Sequence, residues 1–278
     1  MTPPTLESGL ATPAAKVLTG TIGRERRQVL VDLIALAKPR VVLMVLVTTA
    51  VGYYVGLAGA PEWGRLVHLL VGTLLAAGGT LALNQYCERE LDARMERTRG
   101  RPLPDGRLQP LEALLFGAAG TLLGIVYLAA LVGAVPGALP PVTGWVAARE
   151  DLGIGAWVLF AILFLWQLPH TLAIARLYRD DYARAGVRLL PVVDAEGTST
   201  ERQIVTGCLA LLAVSLLPTL IGLAGPLYFA GALLLGSAFV VLGIRQALAP
   251  SPGAARRVLF ASLLYLPAVL ALLAFDKT

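Results

Sequence analysis

Residues 84–104 read NQYCERELDARMERTRGRPLP, and this dense patch of acids and bases lies between two apolar runs, 66–84 and 112–132. If the segment is helical, Asn84, Glu88 and Asp92 recur every four residues and therefore line one face. Two carboxylates and an amide form an all-oxygen site, which suits a hard cation such as Mg²⁺. The alternative interpretation is a solvated interfacial loop whose arginines only fix the orientation of the chain in a membrane.

Cations surround these acids in the sequence. Arg97 and Arg101 follow them, where they would hold an anion that the metal bridges. Lys38 and Arg40 precede the first apolar run. They either anchor that helix in the membrane or add positive charge beside the acidic patch.

The composition indicates a membrane protein. The chain has 278 residues, of which 56% are hydrophobic and 15% are charged, whereas a soluble domain carries about 25% charged residues. The net charge of +5 arises mostly in loops that flank apolar runs. It therefore indicates membrane orientation, and we expect no nucleic-acid partner.

Seven apolar runs are long enough to cross a bilayer and predict an all-α, polytopic transmembrane helix bundle. They lie near residues 40–58, 66–86, 111–132, 153–177, 203–223, 227–246 and 257–275. Residues 1–32 are interpreted as a polar N-terminal tail and 33–278 as the transmembrane domain. Residues 133–151 contain three prolines and are short for a crossing, so we expect a partly buried loop or a re-entrant piece.

The charges of the loops predict the orientation. With seven spans and a cytoplasmic N-terminus, every basic loop lies inside the cell. This orientation puts the patch at 84–104 and a second charged stretch at 178–188 on the same face. The two patches could then share one substrate at the mouth of the bundle.

The second patch contributes further candidates. Asp180 and Asp181 add carboxylates to the metal zone, and Asp181 is the one we expect to point inward because a helix can aim only one of the two. Arg179 and Tyr182 flank them. His170, beside Pro169 in the fourth span, is either a functional intramembrane residue or a hydrogen-bonded core histidine.

At these residues the chain resembles the intramembrane UbiA-type prenyltransferases, in the branch called heme O synthase or protoheme IX farnesyltransferase. That branch is marked by Asn-x₃-Glu-x₃-Asp followed by Met-x-Arg-Thr-x-x-Arg-Pro-Leu, which matches residues 84–103 here. Further ordered matches are Lys38-Pro39-Arg40, Gly137-Ala138-Leu139-Pro140-Pro141, Trp166-Gln167-Leu168-Pro169-His170 and Arg179-x-Asp181-Tyr182. The resemblance covers about residues 33–275.

The resemblance implies transfer of a farnesyl group from farnesyl diphosphate to a vinyl group of heme B, giving heme O, with Mg²⁺ as cofactor. It implies a plasma-membrane location, the lipid bilayer as surroundings and heme A synthase as a partner. The implied metal ligands are Glu88, Asp92 and Asp181. The implied catalytic set adds Asn84 and His170, and the implied substrate-binding residues are Lys38, Arg40, Arg97, Arg101, Arg179, Asp180 and Tyr182.

One departure from the family pattern concerns length. Similar proteins have nine helices and carry a further span and a basic loop that do not fit between Leu103 and Gly137. Two other functions stay open on the sequence alone. One is a related prenyltransferase with an aromatic or quinone-precursor acceptor, and the other is an ion-coupled transporter, which would show internal repeats or broken helices.

Overall fold

The computed structural model describes residues 27–133, 140–194 and 197–278. A first helix, α1, covers 27–36, where the described chain begins. The helices that follow are α2 (Pro39–Gly56), α3 (Trp63–Arg94), α4 (Pro110–Leu131), α5 (Pro140–Arg149), α6 (Ile154–Leu177), α7 (Arg179–Arg184), α8 (Leu190–Val193), α9 (Thr198–Ser215), α10 (Leu217–Leu220), α11 (Pro226–Leu248) and α12 (Pro252–Phe275).

Seven of these stretches are long and apolar enough to cross a membrane: α2, α3, α4, α6, the pair α9 and α10, α11 and α12. They coincide with the seven predicted spans, so the prediction of an all-α, multi-pass membrane protein is confirmed. A bilayer crossing takes about 20 helical residues, and α3 has 32. Its last turns, which carry Asn84, Glu88 and Asp92, therefore continue past the apolar part of the helix.

Proline and polar caps define where the helices begin. Because proline lacks an N–H that the first turn would leave unpaired, it is favoured there, and it lies in the first turn of α2, α4, α11 and α12. Gln109 and Glu112 form a reciprocal capping box at α4. Ser251 caps α12 by accepting a hydrogen bond from the Ala254 N–H.

Helix α5 packs tightly against α2 through glycine. A Cβ on Gly52 would lie 2.1 Å from the Pro141 carbonyl oxygen, and one on Gly144 would lie 2.1 Å from the Thr49 carbonyl oxygen. Small residues at such crossings let two backbones approach closely, which is a common way to hold membrane helices together. The pair α2 and α5 is therefore fixed by backbone contact.

The expectation of a loop at 133–151 is wrong for most of its described part, because Pro140–Arg149 is an α-helix. The prolines at 140 and 141 lie in its first turn, where they do not interrupt helical hydrogen bonds. Arg65 contacts the chain at both ends of this segment: it donates to the carbonyl of Val132, the residue before it, at 3.1 Å, and it binds Glu150 at 2.7 Å. The segment thus returns to the end of the bundle where it began, as a re-entrant piece does, while 134–139 lie outside the described residues.

The two charged patches meet at the opposite end of α3. The Asp181 carboxylate accepts hydrogen bonds from the backbone N–H groups of Glu96 and Arg97, at 3.3 and 3.2 Å. The prediction that both patches lie on one face of the bundle is confirmed.

The predicted boundary between residues 32 and 33 falls inside α1. Asp32 on this helix is buried and forms an ion pair with Arg107 at 3.2 Å. Residues 1–26 lie outside the described residues, so the division into a polar tail and a transmembrane domain stays a prediction.

Candidate active site

The acidic face of α3 has the predicted helical spacing. Asn84 is exposed, Glu88 is half-buried and Asp92 is buried, with 2% of its side chain exposed. The burial increases toward the end of the helix because the following loop, 95–109, folds back over it. Asp92 is thus the member of the row that the protein encloses.

The loop after α3 is tied to Asp92 by two contacts. The Thr98 hydroxyl donates to the Asp92 carbonyl oxygen at 2.9 Å. The Arg101 guanidinium donates to the Asp92 carboxylate at 2.6 Å. A charge-assisted bond of this length is among the stronger side-chain contacts, so it holds the arginine of the loop against the acidic face.

Lys38 completes a cluster of charges above this face. Burial lowers the pKa of Lys38 most, the Arg101 charge lowers it further, and the Glu88 and Asp92 carboxylates oppose both effects. The Arg97 charge also lowers the pKa of Lys38. We call these five residues, Lys38, Glu88, Asp92, Arg97 and Arg101, the charged mouth.

Lys38 has an unusual backbone conformation, and a hydrogen bond from α3 fixes the turn that contains it. Its φ of 50° lies in the left-handed region, which non-glycine residues rarely adopt and which often marks functional sites. Gln85, buried on α3, donates to the Leu36 carbonyl oxygen at 2.8 Å. This bond satisfies a carbonyl at the end of α1 and fixes the turn that carries Lys38.

The Asp181 carboxylate is enclosed by donors. Burial alone would raise its pKa, but the N–H groups of Arg97 and Glu96 and the Arg184 guanidinium outweigh burial, and the pKa lies below its usual 3.8. These bonds join α7 to the turn after α3. The predicted role of Asp181 as a metal ligand stays a prediction.

Arg97 links the two patches through aromatic rings. Its guanidinium lies over the Tyr178 ring, 4.8 Å from the centroid. It also donates to the Tyr182 hydroxyl at 3.3 Å. Cation–π contacts and the hydroxyl orient the planar group. A polar cavity of about 430 Å³ lies beside it and is lined by Glu96, Arg97, Leu177, Tyr178, Asp180, Asp181 and Arg184.

An apolar cavity lies along α3, on the side of the helix that carries the acids of the charged mouth. It has a volume of about 400 Å³, within the range of small-molecule sites, and is lined by α2, α3, α4 and α5. Thr73 and Ala77 line it. Asn84 follows Ala77 by seven residues and Glu88 follows Asn84 by four, and both are helical spacings. The lining and the acids therefore share one face of α3. We call this space the α3 cavity.

His170 lies deeper in the bundle, seven residues and about 10 Å of helix before the end of α6. Its Nδ1 is 2.7 Å from the Ser262 hydroxyl of α12. Its ring stacks on Trp166, with centroids 4.6 Å apart. His170 is thus a hydrogen-bonded histidine, and the described residues provide no direct contact between it and the charged mouth.

The donor chemistry at the mouth fits a hard divalent cation. Within the described residues, no three Asp, Glu, His or Cys side chains converge on one point. Magnesium in phosphate sites is usually held by one or two carboxylates together with substrate oxygens, so an all-protein cage is not required. Glu88 and Asp92, one turn apart, supply such carboxylates, although Arg101 occupies one oxygen of Asp92.

Three of the predicted site residues are exposed or have no side-chain partner in the site. Asp180 lines the polar cavity but is exposed. Arg40 is exposed and Arg179 is half-buried, and neither side chain has a hydrogen bond or ion pair within the described ranges. Their substrate-binding roles stay predictions.

Three supporting residues were missed from the sequence. Gln85 holds the Lys38 turn, Asp32 binds Arg107 of the loop, and Ser262 binds His170. The available signal was a polar residue within an apolar helix, which must have a partner when it is buried. The sequence does not reveal which partner that is.

Comparison with known proteins gives a consistent result. The UbiA prenyltransferase family matches residues 45–131 and 125–264. A protoheme IX farnesyltransferase of Solibacter usitatus (strain Ellin6076) is 45% identical, with 88% of this chain and 98% of the relative covered. One of Myxococcus xanthus (strain DK1622) is 41% identical over 88% of this chain and 94% of the relative. A solved structure of digeranylgeranylglyceryl phosphate synthase has a TM-score of 0.69 at 15% identity, covering 89% of this chain and 98% of that one, which indicates a shared fold.

The lengths of these matches agree with the prediction that the region between Leu103 and Gly137 is shorter here than in similar proteins. The alignment with the Solibacter protein spans 287 residues, more than the 278 of this chain. Residues of the relative therefore have no counterpart here. The family match is also split into two parts that meet at 125–131, inside the region where the sequence is short.

Proposed function

Because the chain belongs to the UbiA prenyltransferase family, we propose that it transfers a farnesyl group from farnesyl diphosphate to a vinyl group of heme B, giving heme O. The observation that carries this proposal is that the acids of the charged mouth and the lining of the α3 cavity lie on one face of the same helix. A prenyl diphosphate has a charged head and an apolar chain, and this arrangement matches both. The acceptor follows from the relatives, which are named protoheme IX farnesyltransferase.

The head of the donor would lie at the charged mouth. Arg97 and Arg101 present guanidinium groups, which match phosphate oxygens in geometry, and Lys38 adds a point charge. As the allylic C–O bond breaks, negative charge develops on the departing diphosphate. Fixed positive groups in a site that excludes water stabilise that charge.

Glu88 and Asp92 would hold Mg²⁺ at the mouth, and Asn84 would add an amide oxygen. When bound, the metal would neutralise and polarise the diphosphate oxygens. Asp181 would support the site by holding the turn that carries Arg97, and it is also proposed as a third carboxylate near the metal. Arg40, Arg179, Asp180 and Tyr182 would complete the rim.

The chain of the donor would occupy the α3 cavity, where apolar side chains keep water from the allylic cation. The terminal carbon of the heme vinyl group would form the new bond to the first carbon of the farnesyl group. The porphyrin-side carbon is then cationic, and a water molecule adds there and loses a proton. His170 would act beside the heme, as a ligand of its iron or as the base for that water.

The surroundings are part of the proposal. The chain would lie in the plasma membrane with its N-terminus and charged mouth on the cytoplasmic side, as the basic loops favour. Heme A synthase is the proposed partner, since it would use heme O.

A product assay tests this function. The purified chain in lipid vesicles is supplied with heme B, farnesyl diphosphate and Mg²⁺, and extracted pigments are analysed by mass. We expect a pigment heavier than heme B by one farnesyl group and one hydroxyl group, and its loss with a chelator. An aromatic acceptor offered in parallel is the control, and prenylation of that acceptor without heme O would overturn the proposed substrate.

A further inference from the structure

The hydrogen bonds around Ser262 form a short chain with a direction. The Ser262 hydroxyl donates to the Leu259 carbonyl oxygen at 2.6 Å, and it lies 2.7 Å from Nδ1 of His170. A serine hydroxyl has one hydrogen and two acceptor lone pairs. Since that hydrogen goes to Leu259, the hydroxyl can meet His170 only as an acceptor.

The direction of this chain determines which ring nitrogen carries the proton. If Ser262 accepts from His170, Nδ1 is protonated and Nε2 of the neutral ring has a free lone pair. In the other tautomer, Nε2 would carry an N–H. Across the described residues Nε2 has no hydrogen-bond partner, so no acceptor there requires a proton on it.

Trp166 restrains both members of the pair. Its indole N–H donates to the Ser262 backbone carbonyl at 2.7 Å, and its ring stacks on His170 with an angle of 19° between the planes. The imidazole therefore has a fixed plane as well as a fixed partner. Ser262 is fully buried, so water does not compete for the bond.

We propose that Ser262 is a positioning residue that holds His170 in the Nδ1–H tautomer and so keeps the Nε2 lone pair free for the reaction with the heme acceptor. A lone pair on Nε2 is required whether His170 binds heme iron or accepts a proton from water. The tautomer assignment stands on the hydrogen bonds alone, whereas its part in the reaction rests on the proposed function.

The tautomer can be measured without turnover. The chain has only two histidines, so ¹⁵N-histidine labelling gives few ring signals, and a His68→Gln variant assigns them. We expect Nδ1 of His170 to be protonated and Nε2 to be unprotonated. Ser262→Ala should lower the Nδ1–H population, and Ser262→Thr, which keeps the hydroxyl, should restore it. A proton on Nε2 in the unaltered chain, or a tautomer that Ser262→Ala leaves unchanged, would overturn the assignment.

The effect of Ser262 on the reaction is measured against a second buried serine as a control. Ser215 is also fully buried and accepts a hydrogen bond from Tyr265 at 2.8 Å, without contact to His170. For a metal-ligating histidine, loss of the residue that binds its other ring nitrogen typically costs about 10–100-fold in affinity or activity. We expect Ser262→Ala to lower kcat for heme O by about this factor with unchanged KM for farnesyl diphosphate, and Ser215→Ala to leave the tautomer and kcat unchanged.

Two results separate the possible failures. Equal losses of kcat in Ser262→Ala and Ser215→Ala would show a structural role and overturn positioning. If the unaltered chain has the expected tautomer but forms no heme O, the proposed function fails and the role of Ser262 in that reaction fails with it, while the tautomer assignment stands.

Discussion

The pair of Asp92 and Arg101 allows the charged mouth to be tested by removing a charge at nearly constant shape. Asp92→Asn keeps the size of the side chain but removes its charge. The carboxylate is 2% exposed, and the arginine that donates to it is 26% exposed. The change therefore weakens a nearly buried ion pair and removes one of the three proposed metal carboxylates.

The two effects have different magnitudes. Breaking a fully buried pair costs about 3–5 kcal/mol, and a hydrogen bond to a charged group contributes about 1.5–3 kcal/mol. Since Arg101 keeps contact with solvent and the asparagine oxygen can still accept, we expect a loss of about 2 kcal/mol in stability. Removing a group that stabilises developing charge lowers turnover by about 10²–10³-fold, which exceeds the effect of instability alone.

The assay compares three variants for heme O formation and for the midpoint of thermal unfolding. Arg101→Gln breaks the same pair from the other side, and the double variant tests coupling. If Asp92 also serves the metal, Asp92→Asn should lose more activity than Arg101→Gln and should show a raised Mg²⁺ requirement. Glu96→Gln, an exposed control with long ion-pair distances of 3.6 and 3.7 Å, should change little.

Near-normal heme O formation by Asp92→Asn at limiting Mg²⁺ would exclude Asp92 as a metal ligand. Equal losses in Asp92→Asn and Arg101→Gln, with no further loss in the double variant, would limit Asp92 to holding the arginine.

Three further changes test other parts of the structure. Because the pKa of Lys38 is lowered from 10.5, affinity for farnesyl diphosphate should fall as the pH rises through that lowered value. Lys38→Arg stays charged, so the loss of affinity should move to higher pH in this variant. An unchanged pH profile would exclude Lys38 from binding the diphosphate. Gly52→Ala should lower the thermal midpoint strongly because its Cβ would meet Pro141 at 2.1 Å, and a neutral result would contradict the α2–α5 contact. A cysteine at Arg149 should react with an external reagent in whole cells and one at Arg99 should not, and the reverse pattern would invert the proposed orientation.

The sequence predicted the parts of the fold that depend on local pattern. The seven spans follow from apolar length, and the acidic face of α3 follows from a spacing of four residues, so both were found. The helix Pro140–Arg149 was missed because its paired prolines were read as breakers. Only the position of a proline within a helix decides whether it interrupts hydrogen bonding, and proline in the first turn does not.

The site was predicted less completely because its contacts are distant in sequence. Asp181 was expected near the acids of α3, and its bonds to backbone N–H groups 84 and 85 residues away could not be anticipated. Likewise, Ser262 and His170 are 92 residues apart. Residue types and helical periods indicate that polar groups face a common region, but the pairing among them depends on how the helices pack.

The most direct test of the central claim, that the charged mouth and the α3 cavity form one prenyl diphosphate site, is a substitution that fills the cavity. Ala77→Phe adds an aromatic ring to its lining, and Ala129→Phe, at an exposed position on α4, is the matched control. Heme O formation is measured together with the binding of inorganic pyrophosphate. We predict that Ala77→Phe abolishes heme O formation but keeps pyrophosphate binding, with Ala129→Phe unaffected in both; full heme O formation by Ala77→Phe would contradict the claim.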